Sequence, residues 1–113
     1  MNINGRVIRS YQSTSSDPIR MKVGDKLRVE DKQTDMAGWV WCVHTSGKSS
    51  WVPESYISRE GDSATVLQNY DATELSVKVG EELIIIDEEA GWYWCDAGEG
   101  VLGWVPVDHF ELI

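Results

Sequence analysis

The sequence predicts an all-β protein made of two tandem small five-stranded barrels. Its 113 residues repeat one pattern twice, which is the usual sign of two copies of one structural unit. The apolar stretches are short, rich in β-branched and aromatic residues, and separated by Gly, Ser and Asp, as strands joined by turns are. No stretch keeps an apolar period of 3.6 residues over three turns, so long helices are not expected.

The repeat is defined mainly by tryptophan. Three Trp, one Cys and one Pro occur in the same order in each half, and chance does not produce that order twice. The alignment uses all six Trp of the chain. The matched segments are RVIRSY (6–11) with TVLQNY (65–70), KVGDKLRVED (22–31) with KVGEELIIID (78–87), GWVWC (38–42) with GWYWC (91–95), and WVP (51–53) with WVP (104–106).

The spacing between matched residues locates the loops. The offset between the copies is 59 at Tyr11, 56 at Gly24 and 53 at Trp39. The first copy therefore carries three extra residues in each of two places, near 12–20 and 32–37. Insertions of this kind fall in surface loops, while strands keep their register.

The boundary between the copies is expected at SREGDSA (58–64), which is short, polar and poor in strand-forming residues. The expected domains are thus a first barrel over 1–59 and a second over 64–113. So short a connection, together with apolar residues on both faces of the strand that carries Ile84 and Ile86, predicts that the two copies contact each other.

The third strand of each copy has one core face. Val40 and Cys42 alternate with Trp39 and Trp41, so the Val and Cys side is the expected core side and the Trp side faces outward. Both cysteines, at equivalent positions in the two copies, are expected to be buried free thiols. The same alternation in the second copy sets Tyr93 and Cys95 against Trp92 and Trp94.

The charge of the chain excludes several partners. A net charge of −9 argues against nucleic acid and against anionic membranes, since both are bound mainly through Lys and Arg. No apolar run is long enough to span a bilayer, and residues 1–10 lack the apolar segment of a secretory signal. A cytoplasmic location is the simple expectation. No phosphate loop, catalytic motif, metal site or cofactor site is indicated, so no enzyme activity is predicted.

The charge is divided unequally between the halves. Residues 1–60 carry nine basic and seven acidic residues, a net of +2. Residues 61–113 carry one basic and twelve acidic residues, a net of −11. The second copy should therefore attract a basic segment, which could belong to another protein or to the first copy.

Taken in order, these segments resemble the Src homology 3 (SH3) family. The second copy carries the resemblance in VLQNYDA (66–72), ELSVKVGEEL (74–83), DEEAGWYWC (87–95) and GWVPVDHF (103–110). Gln68 and His109 stand where that family has tyrosines, and Arg9 stands at the first of these positions in the first copy. The resemblance covers nearly the whole chain as two variant copies.

The resemblance implies a shallow aromatic groove in each copy for an extended segment, proline-rich or basic, with a loop acid for a basic ligand residue. Carried over by position, the site residues of the second copy are Tyr70, Glu74, Trp92, Trp104 and Pro106. Those of the first copy are Tyr11, Trp39, Trp51, Pro53 and Tyr56.

The predicted function is a non-catalytic adaptor or regulatory module that binds a peptide or protein segment of extended and basic character. Two alternatives remain within the same fold: a bacterial-type module that targets cell-wall peptide or glycan, and a structural spacer within one molecule. An aromatic cage for methylated lysine is a further hypothesis that the clustered aromatics allow.

Overall fold

The structure is a computed structural model that describes residues 3–13, 18–34 and 37–113. Strands dominate these residues, and two 3-10 turns, Glu54–Tyr56 and Val107–His109, are their helical elements. The predicted all-β class is confirmed. The strands are β1 (Ile3–Val7), β2 (Arg20–Met21), β3 (Lys26–Glu30), β4 (Trp39–His44), β5 (Ser49–Pro53), β6 (Ile57–Glu60), β7 (Ser63–Val66), β8 (Tyr70–Asp71), β9 (Glu82–Glu89), β10 (Trp92–Asp96), β11 (Leu102–Pro106) and β12 (Phe110–Leu112).

Across the described part of the chain, no helix has the length and apolar character needed to cross a membrane.

The first compact unit joins the two ends of the chain. It consists of Met1–Asp17 and Thr73–Ile113. Its five strands form an antiparallel sheet in the order β11-β10-β9-β1-β12. Alternate residues of these strands, with Val77 from the loop before β9, form one apolar core. The buried residues of that core are Val7, Val77, Leu83, Ile85, Cys95, Val105 and Phe110.

The second compact unit is the continuous segment Pro18–Ala72. Its five-stranded sheet has the order β5-β4-β3-β7-β6, and β2 pairs with β8 in a separate two-stranded sheet. Each unit thus holds one five-stranded sheet, as predicted for two barrels. The buried aliphatic residues and cysteine of this unit are Ile19, Met21, Leu27, Val29, Val40, Cys42, Val52, Ile57, Ala64 and Val66.

The two copies of the repeat have exchanged their first strands. Strand β1 of the first copy pairs with β9 and β12 of the second copy. Strand β7 of the second copy pairs with β3 and β6 of the first. The compact units therefore differ from the expected contiguous division into 1–59 and 64–113.

The segment between the copies is a β-hairpin. Strands β6 and β7 pair from Ile57↔Val66 to Glu60↔Ser63, which leaves only Gly61 and Asp62 in the turn. Gly61 has φ +61°, a left-handed conformation that glycine adopts without steric cost. The expectation that 58–64 is poor in strand was wrong, because a Gly-Asp pair between two polar, half-exposed strands forms a tight turn.

The third strand of each copy has the predicted core face. Val40 and Cys42 are buried, while Trp39 and Trp41 on the opposite face are partly exposed. Cys95 is buried at the equivalent place in β10, and both cysteines are free thiols, as expected.

The apolar run in β9 lies between two neighbouring strands. Leu83 and Ile85 are buried in the core, and β9 pairs with β1 on one side and β10 on the other. Ile84 points away from the core and keeps 45% of its surface exposed. Strand β1 of the first copy pairs directly with this residue through Asn4. Cover of Ile84 and Ile86 by packing of one barrel on the other stays a prediction.

Candidate functional site

Five partly exposed side chains of the first compact unit form a group that we call the Tyr11 cluster. Its members are Tyr11, Glu74, Trp92, Pro106 and His109. Partial exposure suits a contact surface, because such side chains keep an apolar face accessible while the backbone holds them in place.

Backbone pairing positions the cluster. Tyr11 and Val77 exchange two backbone hydrogen bonds, of 2.9 and 2.8 Å. Trp92 begins β10 and lies directly opposite Pro106, the last residue of β11. The proline ends the strand, and the 3-10 turn that follows places His109 beside the same surface.

Tyr11 is the centre of the cluster. Its ring meets the ring of Trp92 edge to face, with centroids 5.8 Å apart and an interplanar angle of 84°. It meets the imidazole of His109 in the same way at 5.3 Å and 83°. Its hydroxyl donates a 2.7 Å hydrogen bond to Oε1 of Glu74. Edge-to-face packing of this kind restrains each ring to one orientation.

Polar contacts fix the turn that carries His109. Its Nδ1 lies 2.8 Å from Oδ1 of Asp108, and this hydrogen bond holds the pKa of the Asp108 carboxyl below its ordinary value. Arg9, from the first copy, donates a 3.1 Å hydrogen bond to the carbonyl oxygen of Asp108 and lies 3.7 Å from its carboxylate. Arg9 thus replaces the expected tyrosine by a polar contact at the edge of the cluster.

Trp104 supports the cluster and does not line it. It is only 5% exposed, and its ring packs on Trp94 at a centroid distance of 5.1 Å. Its backbone N–H donates to the carbonyl of Thr73 and its own carbonyl accepts from Leu75, which ties β11 to the loop that carries Glu74.

The equivalent residues of the second compact unit are more buried. We call them the Tyr70 cluster: Trp39, Trp51, Pro53, Tyr56 and Tyr70. Tyr56 and Tyr70 meet edge to face at 5.5 Å, and the Tyr70 hydroxyl donates a 3.3 Å hydrogen bond to the carbonyl of Trp51. Pro53, Tyr56 and Tyr70 are all buried, so only the two tryptophans remain partly exposed.

The outward tryptophans of β4 and β10 form cross-strand pairs. Trp41 faces Trp51, and Trp94 faces Trp104 at the matching place in the other unit. Nζ of Lys32 lies 3.7 Å from the centre of the Trp41 ring, a cation–π contact. The outer face of a tryptophan in this chain therefore already receives one lysine side chain.

The strand exchange regroups the predicted site residues. The sequence places Tyr70 with Trp92 and Tyr11 with Trp39, by chain order. The structure brings Tyr11 to Trp92 instead, and Tyr70 to Tyr56. The predicted grouping was wrong because each tyrosine follows the exchanged first strand into the other unit.

Sequence reasoning missed His109 and Asp108 as parts of the site. From the sequence, His109 is only a residue that stands where the SH3 family has a tyrosine. The available signal was this position of His109.

The acidic charge is concentrated in the first compact unit, which carries the Tyr11 cluster. The first unit carries two basic and one acidic residue in 1–17, and one basic and ten acidic residues in 73–113, a net of −8. The second unit, 18–72, carries seven basic and eight acidic residues, a net of −1. Together they give the total of −9.

The two cysteines of the chain are not activated thiols. Burial raises the pKa of Cys42 to about 11 and that of Cys95 to about 12, so neither thiol is an ionised nucleophile near neutral pH. Among residues 3–13, 18–34 and 37–113, no three His, Cys, Asp or Glu side chains group as metal ligands would.

Comparison with known families identifies the repeat. The family model described as "Variant SH3 domain" matches residues 5–59, and the model described as "SH3 domain" matches residues 59–107. The chain therefore belongs to the SH3 family, as two tandem copies. SH3 domains are binding modules for peptide and protein segments, so protein binding is the class of function that the fold defines.

Curated relatives are multidomain proteins. Human "SH3 and PX domain-containing protein 2B" is 24% identical over 93% of this chain and 13% of its own length. The "SH2/SH3 adapter protein dreadlocks" of Drosophila melanogaster is 23% identical over 90% of this chain and 22% of its own length. The chain thus spans less than a quarter of either relative. No solved structure gives a significant match.

Proposed function

We propose that the chain is a non-catalytic binding module whose Tyr11 cluster receives an extended basic segment of a partner protein. The observation that carries the proposal is the arrangement of Tyr11, Trp92 and Glu74. Two aromatic rings packed edge to face lie beside a carboxylate, and all three side chains are partly exposed. Aromatic surfaces of this kind suit an extended, proline-rich backbone, and the acid suits a Lys or Arg beside it.

The charge of the first unit supports a basic ligand. Its net charge of −8 raises the local concentration of a cationic segment. Glu88 and Glu89 are the last two residues of β9, and Glu89 lies directly opposite Trp92 in the β9–β10 hairpin. The contact of Lys32 with Trp41 in the other unit is an example, within this chain, of a lysine on an outward tryptophan.

The Tyr11 cluster is the better candidate of the two. Three members of the Tyr70 cluster are buried, so they offer less surface to a ligand. The Tyr70 cluster therefore serves as the internal comparison for each experiment.

The proposal also includes the adaptor role, absence of catalysis and cytoplasmic location expected from the sequence. The name of the Drosophila relative, an adapter protein, supports the first of these. The packing of one barrel on the other stays a prediction.

The test is an NMR titration that follows the six Trp indole resonances. The probes are a proline-rich peptide with two arginines and its counterpart with two glutamates. We expect the arginine peptide to shift the Trp92 indole signal and to bind more weakly as salt is raised, because screening weakens exposed charge pairs.

Trp92→Ala should cost roughly 2–4 kcal/mol of binding free energy, as aromatic hot spots do. The matched control is Trp39→Ala, at the equivalent place in the other unit, which should leave affinity unchanged. Shifts that appear at Trp39 and not at Trp92 would place the binding site in the second unit and contradict the proposal. No shift with either peptide would favour the spacer or cell-wall alternatives, and cell-wall peptide is then the next probe.

A further inference from the structure

The exchanged strands differ at the positions that contact the barrel they enter. We propose that the β1 position, between β9 and β12, is a docking site selective for the Ile3–Val7 segment of the same chain over the Ser63–Val66 segment. The β7 position, between β3 and β6, has the opposite selectivity. The two SH3 copies would then form one obligatory pair, in which neither copy is complete without the other.

Side-chain size supplies the first argument. A Cβ added to Gly5 would lie 2.8 Å from Cδ1 of Ile85 and 2.9 Å from Cδ1 of Phe110, closer than Cβ atoms pack. By the offset of 59, the residue of the other first strand that would stand there is Ala64. Its methyl group would have to displace the end of an isoleucine and an aromatic ring in a filled core.

The β7 position, in contrast, has room for the methyl group of Ala64. The residues equivalent to Ile85 and Phe110 are Val29 and Ile57, and both are smaller. Ala64 packs here with only 4% of its surface exposed. A glycine in its place would leave a methyl-sized gap, so each strand fits the barrel of the other copy better than its own.

Charge supplies the second argument. Arg6 in β1 lies opposite Glu82 of β9 on one side and Glu111 of β12 on the other. Its Nη1 lies 3.2 Å from Oε1 of Glu111. The matching residue Thr65 instead accepts a 2.8 Å hydrogen bond from Nζ of Lys26. In the contiguous arrangement Arg6 would face Lys26 as a like charge, and the two glutamates would face an uncharged threonine.

The start of each strand supplies the third argument. Ile3 pairs with Ile85 and packs against the buried core of the first unit. Its counterpart by the same offset is Asp62, which lies exposed in the β6–β7 turn. A contiguous arrangement would place this carboxylate where Ile3 packs, at the cost of desolvating a charge without a partner.

The connection between the copies favours the same result by a separate route. Only Gly61 and Asp62 separate β6 from β7, so β7 is held beside the last strand of the first copy. This tether alone could produce the exchange, whereas the side-chain differences predict that the exchange survives when the tether is removed. The two causes can therefore be separated by experiment.

The experiment uses the full chain with engineered cysteine pairs on exposed positions. Asn4 lies opposite Ile84 in the exchanged arrangement. In a contiguous arrangement Asn4 would take the place of Ser63, opposite Arg28. Asn4→Cys with Ile84→Cys thus reports exchange, and Asn4→Cys with Arg28→Cys reports contiguity. Disulfide yield under mild oxidation is measured by gel shift and peptide mapping, and the natural thiols are buried.

Both pairs are then placed in a chain with about twelve Gly and Ser residues inserted between Gly61 and Asp62, which releases the tether. We expect the Asn4–Ile84 product to remain in excess by about tenfold or more, the ratio that an overpacking cost of this kind sets. Adding Gly5→Ala together with Ala64→Gly interchanges the size difference and should shift the yield toward the Asn4–Arg28 product.

Two of the following outcomes would overturn the proposal, and the one from the Gly5 and Ala64 interchange would overturn its argument from side-chain size. An Asn4–Arg28 product in excess with native strands and the long insertion would leave the tether as the sole cause. An unchanged ratio after the Gly5 and Ala64 interchange would remove side-chain size as the selector. An Asn4–Ile84 disulfide found only in covalent dimers would mean that a second copy of the chain supplies the strand.

Discussion

The hydroxyl of Tyr11 lies 2.7 Å from a carboxylate oxygen of Glu74, and the two residues belong to different copies of the repeat. The contact exists because β1 of the first copy is part of the sheet of the second. An aromatic from one copy and an acid from the other therefore form one candidate site. The consequence is that the tandem pair, and not the single copy, is the unit to test for binding.

Replacing Tyr11 by Phe removes the hydrogen bond to Glu74 but keeps the ring. We expect Tyr11→Phe to lower the free energy of unfolding by roughly 0.5–1.5 kcal/mol, the usual net value of such a bond. The measurement is urea denaturation. Tyr70→Phe, which removes a 3.3 Å bond to the Trp51 carbonyl in the other unit, is the matched comparison. A fully neutral Tyr11→Phe would show that Glu74 is held by other contacts.

Gly103 packs where no side chain fits. A Cβ there would lie 2.7 Å from Cγ of Leu75 and 3.1 Å from the carbonyl oxygen of Thr73. The Leu75 side chain must move and the backbone at Thr73 must give by a few tenths of an ångström, so Gly103→Ala should destabilise by about 1–3 kcal/mol. The equivalent residue in the other unit is Ser50, which is partly exposed. Ser50→Ala is the control and should change thermal stability little; equal losses in both variants would contradict the packing argument.

The two buried thiols should resist modification in the folded protein. Burial raises the pKa of Cys42 to about 11 and that of Cys95 to about 12, from 9.0 in both cases. At pH 8 the thiolate of either residue is thus scarce, and labelling by a disulfide reagent should follow global unfolding. The raised pKa values also mean that stability is retained below pH 9.0 and declines as pH rises through about 11 and 12. Rapid labelling at pH 8 without denaturant would contradict the buried positions.

The sequence predicted the parts of this fold that depend on local pattern. Alternation in GWVWC placed Cys42 in the core, and the drift of the offset between copies separated loops from strands. The strand exchange was beyond that reasoning, because β1 and β7 carry nearly the same pattern and either could pair with β3 or β9. Only differences such as Gly5 in β1 against Ala64 in β7 decide which barrel each strand enters. The effect of these differences depends on the residues packed around them in the folded barrels. The regrouping of Tyr11 with Trp92 follows from the exchange and was missed with it.

Asp25 should make the second unit sensitive to acid. Its carboxylate accepts a 3.0 Å hydrogen bond from the backbone N–H of Lys22 and lies 2.9 Å from Nε2 of His44. The Lys22 bond first, and the His44 contact second, hold the pKa of Asp25 below its ordinary value of 3.8. Because the folded pKa is depressed, the stabilisation is complete above pH 3.8 and is lost as pH falls through the lower, folded value.

The test compares acid unfolding of the native chain with that of Asp25→Asn. The variant should be less stable at pH 7 and should lose less stability between pH 5 and the acid midpoint, as circular dichroism would show. Glu81→Gln is the matched control, since Glu81 accepts the equivalent backbone hydrogen bond from Lys78 in the other unit and Ala97 stands where the first copy has His44. If Asp25→Asn and the native chain lose stability in parallel on acidification, the carboxylate is not the group that titrates.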